Sequence, residues 1–297
     1  PVLGRNVADD GSSVNLGALP SVPSATPPSV PPVFWPSPQL PSNPLFLQAE
    51  QQIPAAELPT RESEFDQVMR PFVAQSFATG IESSHARIGP LALTETASGE
   101  FLVSGGANRG QIFRFPAEGG GAGQLVAALD EPVFNMAFDG EGWLWATTGG
   151  GALLQLDADS GRIAGRHGDG LTMGLAIHPE TGQIFVGSHG GVEIFDPATG
   201  SFTRFSRDLN LRFASLAFDH RGLLWAVTWP DRRQLVRFTE QGRAERVLEF
   251  ASDIDSLAFG QPDTPLAELL LISHNHRRGR GGGNQAVAPD SELTAVD

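Results

Sequence analysis

The sequence predicts an all-β fold, because short strand-like runs alternate with turns rich in Gly and Asp, and this pattern repeats. Between residues 134 and 161, the runs NMAFD, WLWATT and ALLQLD are separated by Gly-rich and Asp-rich turns. Runs of this length, joined at hairpin distance, are typical of an antiparallel meander. The unit recurs with aligned alanines at Ala92, Ala137, Ala176, Ala217 and Ala258, spaced by 45, 39, 41 and 41 residues. A four-stranded repeat of about 40 residues predicts a β-propeller of about five blades, or part of a larger propeller.

A proline-rich arm precedes the repeats. It spans residues 1–62 and holds 13 of the 23 prolines, and proline favours extended backbone that donates no ladder hydrogen bonds. Apolar clusters at 33–35 and 45–47 lead us to expect an arm packed on the propeller or on a neighbouring chain, with a solvated linker as the alternative. The propeller is predicted over 63–297, with repeats near 88–132, 133–170, 171–210, 211–252 and 253–297.

Residues 71–80 (PFVAQSFATG) resemble the outer-strand segments of the later repeats. The given chain ends at Asp297, after the third strand of the fifth repeat, so that repeat lacks an outer strand. We therefore predict that 71–80 supply this strand and join the two ends of the ring. Such closure would remove both exposed sheet edges.

Charge and composition exclude several classes of protein. The 34 acidic and 20 basic residues give a net charge of −14, which argues against nucleic-acid binding, since a phosphate binder presents a basic face. The absence of Cys excludes disulfides and thiol catalysis. No apolar run reaches the roughly 18 residues of a membrane span, so we expect no membrane insertion. The chain begins at Pro1, which we interpret as a processed product or part of a longer polypeptide.

Loops on one face of the ring carry the candidate site. In a four-stranded blade, the loop between the second and third strands and the connection between blades emerge on the same face, and propellers bind ligands at such ring ends. Asn108, Asp169 and Trp229 are expected on this face, whereas His178 and His220 fall on the opposite one. The candidate ligand-binding residues on this face are His85, Arg109, His189, Asp231, Arg232, Arg233, His274 and His276.

Several of these patterns have two interpretations. His274 and His276 alternate, so on a strand they would share a side, as metal ligands do; two His alone do not define a site, and we expect no metal and no cofactor. The insertion at 276–285 concentrates Arg277, Arg278 and Arg280, which is either an anion contact or a solvated loop. The turns DADSG (157–161) and DPATG (196–200) lack calcium-loop spacing and are interpreted as hairpin turns.

One motif occurs twice within the repeats. It reads D-x-x-G-x-L-W-x-x-T, and its residues are Asp139, Gly142, Leu144, Trp145 and Thr148, then Asp219, Gly222, Leu224, Trp225 and Thr228. Over 88–297 the chain thereby resembles the propeller repeats of two-component regulator sensors and of the streptogramin lyase and NHL families. The resemblance implies the propeller fold, with Trp145 and Trp225 packed between blades. Lyase activity would imply catalytic His and Glu near the axis with a divalent metal, and no motif here assigns such residues.

The sequence favours a non-catalytic binding or assembly module of a secreted or cell-surface protein. Its expected partner is a protein, a glycan or a neighbouring copy of the chain. The alternative is a propeller enzyme, a lyase or a lactone hydrolase, acting at the loop face. No catalytic residue is assigned, because acyl transfer has no visible nucleophile: neither a G-x-S-x-G elbow nor a Cys is present.

Overall fold

The computed structural model describes Phe65, Val68 and residues 74–84, 88–206, 211–231, 233–262, 264, 266–276 and 290–296. These residues form five antiparallel sheets arranged as the blades of a β-propeller, which confirms the predicted fold class. Four blades have four strands, and the fifth has three among the described residues. The predicted arm, 1–62, lies outside the described residues.

Each blade is a meander of consecutive strands, and each lies within one of the predicted repeats. The first comprises β1 (Leu93–Glu95), β2 (Phe101–Gly105), β3 (Gln111–Phe115) and β4 (Gln124–Ala128). The second comprises β5 (Asn135–Phe138), β6 (Leu144–Thr147), β7 (Leu153–Leu156) and β8 (Ile163–His167). The third comprises β9 (Leu171–Ile177), β10 (Ile184–Ser188), β11 (Gly191–Asp196) and β12 (Ser201–Arg204). The fourth comprises β13 (Arg212–Phe218), β14 (Leu224–Trp229), β15 (Gln234–Phe238) and β16 (Ala244–Glu249), and the fifth β17 (Asp253–Phe259), β18 (Leu270–His276) and β19 (Asp290–Val296).

The first strands of successive blades contact one another: β1 with β5, β5 with β9, β9 with β13, and β13 with β17. The apolar core therefore lies in the seams between blades. The indole of Trp145 is fully buried against Leu171, Leu175 and Ile184 of the third blade. Trp225 is half-buried against the cluster of the fifth blade that contains Ile254. Both tryptophans pack between neighbouring blades, as the repeat motif predicts.

The Asp of the repeat motif organises the turn between the first two strands of its blade. Asp139 Oδ1 accepts hydrogen bonds from the amides of Glu141 and Trp143, both 2.9 Å, and its Oδ2 accepts one from Trp145 Nε1 at 2.7 Å. Gly142 completes the turn at a φ of 88°, a conformation that favours glycine. The motif thus fixes a tight turn and orients the buried indole with one carboxylate.

The turns at 157–161 and 196–200 are hairpin turns, as predicted. Asp157 Oδ1 accepts hydrogen bonds from the amides of Asp159 and Ser160, at 3.2 and 2.8 Å. These bonds, led by those from Ser160, lower the pKa of Asp157. Asp196 accepts the equivalent bond from Ala198 at 2.9 Å. Local amides therefore occupy carboxylate lone pairs that a calcium ion would otherwise use.

The structure corrects the sequence alignment of the first blade. The turn of that blade runs from Thr96 to Glu100, whose backbone groups bond at 2.8 Å as those of Asp139 and Trp143 do at 3.1 Å. Thr94 therefore matches Ala137, and the alignment of Ala92 with Ala137 is wrong by two residues. The pattern T-x-x-G, ending at Gly99 with a φ of 82°, is the signal that gives the correct register.

Hydroxyl groups on the second strands join one blade to the next. Ser104 Oγ donates to the carbonyl of Val133 at 2.9 Å across the first seam, and Thr147 Oγ1 donates to the carbonyl of Met173 at 2.8 Å across the second. Both acceptors lie at or next to a first strand, whose inner edge has no strand partner. These bonds satisfy backbone groups that would otherwise be buried without a partner.

The third blade makes the same kind of bond from a different strand. Gly187 of β10 has no side chain, and a Cβ built there would lie 2.4 Å from Thr172 Oγ1. The Thr172 hydroxyl, from β9, instead donates to the carbonyl of Phe213 at 3.3 Å. The glycine thus makes room for a hydroxyl from the neighbouring strand, and the seam keeps its hydrogen bond.

The predicted closure by residues 71–80 is wrong for residues 77–80, which bond to the first blade. Ala78 forms a parallel bridge with Gly120 of the first blade, flanked by backbone hydrogen bonds of 2.9 and 3.1 Å. Phe77 packs edge-on against Phe101 and Phe115, with ring centroids 5.1 and 5.9 Å apart. This aromatic contact draws the segment onto the first blade instead of the edge of β19. Residues 71–73 lie outside the described residues.

The segment 77–80 therefore lies as a strap on the side of the first blade that faces away from the second. Leu102 and Ile112 pack toward the second blade, and alternation along the strands directs Phe101 and Phe115 to the other side. The fifth blade reaches the first through Gln261, whose Nε2 donates to Glu95 Oε2 at 3.1 Å.

Among the described residues, no helix is long and apolar enough to cross a membrane.

Candidate functional site

The loop face holds five of the eight predicted site residues in the described part of the chain. We define this face by the loops between second and third strands together with the connections between blades. It carries Arg109 in the first blade, His189 in the third, Asp231 and Arg233 in the fourth, and His274 in the fifth. His85, Arg232 and the side chain of His276 lie outside the described residues, as does the Arg-rich segment 277–280.

Arg109 lies in the loop between β2 and β3, at the seam with the second blade. Its carbonyl accepts a hydrogen bond from the amide of Val133 at 2.8 Å, which ties the loop to the next blade. Its guanidinium carbon lies 5.8 Å from the centroid of the Phe134 ring. Such a cation stacked on an aromatic face is attracted by the ring quadrupole. Arg109 is partly buried, and its Nε has no hydrogen-bond partner.

His189 lies in the loop between β10 and β11 and is exposed. Its ring passes close to the turn that leads into the same blade, since a Cβ on Gly170 would lie 3.5 Å from His189 Cδ2. This residue keeps the solvent exposure that a contact surface requires.

Asp231 and Arg233 form the edge of the loop between β14 and β15. Arg233 Nε lies 3.4 Å from Asp253 Oδ1 of the fifth blade and 4.0 Å from Asp231 Oδ1. The backbone carbonyl of Arg233 also accepts a hydrogen bond from the Phe250 amide at 2.8 Å. Asp253 begins β17 and was missed by sequence reasoning, because a carboxylate 20 residues away gives no local signal. Arg233 thus joins the fourth and fifth blades.

His274 is buried, with 4% of its surface exposed. Its Nδ1 lies 2.9 Å from Ser252 Oγ, and its ring packs edge-on against Phe250 with centroids 5.1 Å apart. Both contacts belong to the segment that leads into β17. The structure therefore places His274 as an internal brace of the fifth blade.

The opposite face carries a pair that sequence reasoning did not find. His220 Nε2 lies 3.1 Å from Glu268 Oε1, which links the fourth and fifth blades. His178, the other histidine expected on this face, uses Nδ1 to accept amide hydrogen bonds from Glu180 and Thr181 at 3.2 and 3.3 Å. His178 thus caps this turn in the third blade, as Asp139 caps the corresponding turn in the second blade.

His167, at the end of β8, is a further titratable group that the sequence did not single out. Its ring lies 4.8 Å from Phe195 and 5.7 Å from Trp145, centroid to centroid. Its Nε2 is buried without a hydrogen-bond partner. Because the charged imidazolium loses hydration there, burial lowers the pKa of His167.

The described residues contain no group of three His, Cys, Asp or Glu side chains placed to hold a metal ion. The described candidates are instead distributed over four blades, and two of them, Arg109 and Arg233, make contacts across a seam. Chemically, this face offers a stacked guanidinium, an exposed imidazole and an exposed carboxylate.

No protein-family model and no curated protein matches the sequence. Solved structures do match it. A luciferin-regenerating enzyme shares 14% identity with a TM-score of 0.52, and the match covers 70% of this chain and 78% of that one. A protein from Thermus thermophilus, named as an oxidoreductase of the glucose dehydrogenase type, shares 21% identity with a TM-score of 0.50 over 75% of this chain and 86% of that one.

A virginiamycin B lyase from Staphylococcus aureus also matches, with 15% identity, a TM-score of 0.46, and coverage of 70% of this chain and 69% of that one. The likeness is one of fold. Identities this low carry no residue from these proteins onto this chain. The two matches with TM-scores of 0.52 and 0.50 agree with the propeller architecture that the repeats predicted and that the five sheets show.

Proposed function

We propose that this chain is a non-catalytic binding or assembly module, the propeller of a secreted or cell-surface protein. Its contact surface is the loop face, and its partner is a protein, a glycan or a neighbouring copy of the chain. The acidic net charge of −14 supports a partner other than nucleic acid.

The observation that carries the proposal is the way in which the candidate side chains are used. His274 bonds to Ser252 inside the fifth blade, and Arg233 pairs with Asp253 across a seam. His274 thus braces one blade, and Arg233 holds two blades together. His189 and Asp231 remain exposed on the same face. A rigid rim with exposed polar groups at its loops suits recognition, because loops on a fixed scaffold present side chains to a partner.

The competing function is a propeller enzyme, a lyase or lactone hydrolase, working at this face. The two functions require different arrangements of the loop face. An enzyme needs an acid and a base, or a metal, within reach of one substrate. A binding module needs only an exposed surface. Metal analysis of the gently purified chain, calorimetry with divalent ions and a lactone hydrolysis assay address this directly. We expect no stoichiometric metal and no turnover. A metal lost on replacing His274, or a saturable hydrolysis rate, would make the enzyme the better proposal.

The binding proposal itself is tested by blocking one face at a time. His189→Trp places a bulky ring on the loop face, and Glu180→Trp places the same ring at an exposed turn of the opposite face. Self-association by sedimentation and binding to a glycan array are measured for both variants and for the unaltered chain. We expect saturable binding that His189→Trp weakens and Glu180→Trp leaves intact. Equal loss in both variants, or no saturable binding, contradicts the proposal.

A further inference from the structure

Arg109 has a backbone conformation that its residue type does not favour. Its φ is +63°, and every other described residue with positive φ is a glycine. Glycine adopts this region without steric cost, whereas a Cβ makes it unfavourable. The conformation at Arg109 is therefore one that its surroundings must hold in place.

The loop around Arg109 holds this conformation from both sides. The amide of Arg109 donates to the carbonyl of Gly106 at 2.9 Å, and its own carbonyl accepts from Val133 at 2.8 Å. A Cβ on Gly149 would lie 2.4 Å from the Phe134 ring, so this ring is wedged between the guanidinium and a residue without a side chain. The aromatic ring is a fixed platform, and the arginine is pre-positioned on it.

The guanidinium has no carboxylate partner among the described residues, unlike those of Arg114 and Arg233. Arg114 pairs with Asp159 at 2.8 Å, and Arg233 with Asp253 at 3.4 Å. Arg109 keeps its donors, and its buried Nε is unsatisfied. A buried donor without a partner is unfavourable until something accepts its hydrogen bond. The chain has a net charge of −14. A guanidinium that stacks on a ring and has no carboxylate partner therefore distinguishes this place from the rest of an acidic surface.

We propose that Arg109, stacked on Phe134, is an oxyanion-recognition site at the seam between the first and second blades. It takes a carboxylate or phosphate group of the partner. Arginine suits this role because its planar fork matches both anions with two parallel hydrogen bonds, and an aromatic platform reduces the freedom lost on binding. The inference rests on the proposed binding function and names the chemistry of its ligand.

The test follows the Arg109 Nε–H resonance by nitrogen-15 NMR in the full chain, and Arg109→Gly identifies that resonance by its loss. Inorganic phosphate and sodium acetate are titrated at constant ionic strength. An acidic peptide of glutamates and an oligogalacturonate then distinguish a protein carboxylate from a glycan carboxylate. We expect a saturable shift of this resonance and of the Gly110 amide. Arg109→Lys should weaken binding by about tenfold, because a point charge replaces the fork.

The glycine variant separates recognition from folding. Arg109→Gly relieves the positive φ, so its melting temperature should equal or exceed that of the unaltered chain. Its response to anions, read at the Gly110 amide, should be lost. Arg221→Gln, on the opposite face, removes one positive charge without altering the seam between the first and second blades. It should leave the Arg109 shifts unchanged.

Different results overturn the two proposals. A resonance of Arg109 that moves with none of the four probes, or a Gly110 response retained by Arg109→Gly, contradicts the oxyanion site. Partner binding that His189→Trp weakens and Arg109→Gly does not would also overturn the site, while the binding function would stand. Lactone turnover would overturn the binding function, and a saturable Arg109 shift would still support the oxyanion site.

Discussion

The two faces of the propeller use polar side chains in different ways. At the opposite face, Asp139 bonds only to groups two to six residues away, and Asp219 repeats the same three bonds in the fourth blade at 2.9, 2.8 and 3.0 Å. At the loop face, Arg233 reaches an aspartate 20 residues away, and His274 a serine 22 residues away. The turn motif of the opposite face is built from local bonds, whereas these loop-face contacts join distant segments, as His220 and Glu268 also do at the opposite face.

This difference explains why one face can be read from sequence more easily than the other. A local turn leaves a fixed spacing of Asp, Gly and Trp, because all its bonds close within one short segment. A bond to a distant segment leaves no spacing to recognise. The turns that close within one segment therefore fix the shape of each blade, and the contacts between distant segments fix how blades are joined.

The largest expected effect tests whether the repeated motif is equally important in both blades. Trp145→Ala removes a fully buried indole, and we expect it to lower the free energy of unfolding by about 3–5 kcal/mol. Trp225→Ala removes a half-buried one, so its cost should be smaller. Both are measured by denaturant unfolding. Equal losses would show that sequence context, and not burial in the seam, sets the contribution of the motif.

The second effect isolates the carboxylate of the motif from the indole that it orients. Asp219→Ala removes the acceptor of three hydrogen bonds and leaves the indole N–H of Trp225 without its partner, so we expect a loss of about 2–3 kcal/mol in the free energy of unfolding. Asp219→Asn keeps one acceptor oxygen and should cost less. Asp231→Ala, an exposed carboxylate of the loop face, is the matched control and should change stability by no more than about 0.5 kcal/mol. A loss at Asp231 as large as that at Asp219 would contradict the distinction between the faces.

Much of the fold was readable from the sequence, and the two exceptions have different causes. The five blades and the two tryptophan seams followed from period and motif. The register of the first blade was missed because Thr96 replaces the motif Asp, although Gly99 preserves the turn. The strap was misplaced because the contact of Phe77 with Phe101 is not encoded in spacing.

The candidate site was readable only in part. Sequence topology placed Arg109 and His189 on loops correctly. It could not show that His274 is buried, nor that Arg109 has a positive φ. Burial and backbone conformation at these positions depend on neighbouring blades. Residue type and spacing therefore do not reveal these contacts between blades.

The smallest expected effect concerns a seam residue whose charge changes with pH. His167 lies against Phe195 and Trp145, and burial lowers its pKa. An unfolded histidine titrates near a pKa of about 6.5, so below that pH the unfolded chain binds a proton more readily than the folded one. The stability that the neutral ring contributes is therefore present above about pH 6.5 and is lost as the pH falls through the lower, folded pKa.

Unfolding midpoints measured between about pH 8 and 5 test this, because that interval spans the ordinary pKa of histidine. His167→Phe keeps an aromatic ring in the seam without a titrating group, so it should flatten the part of the profile that belongs to His167. His189→Phe makes the same replacement at an exposed position of the loop face and should leave the profile of the unaltered chain. A profile that is the same in both variants would show that the seam histidine is not the group that titrates. In that case, the contacts that His167 makes in the seam would not make the stability of the propeller depend on pH.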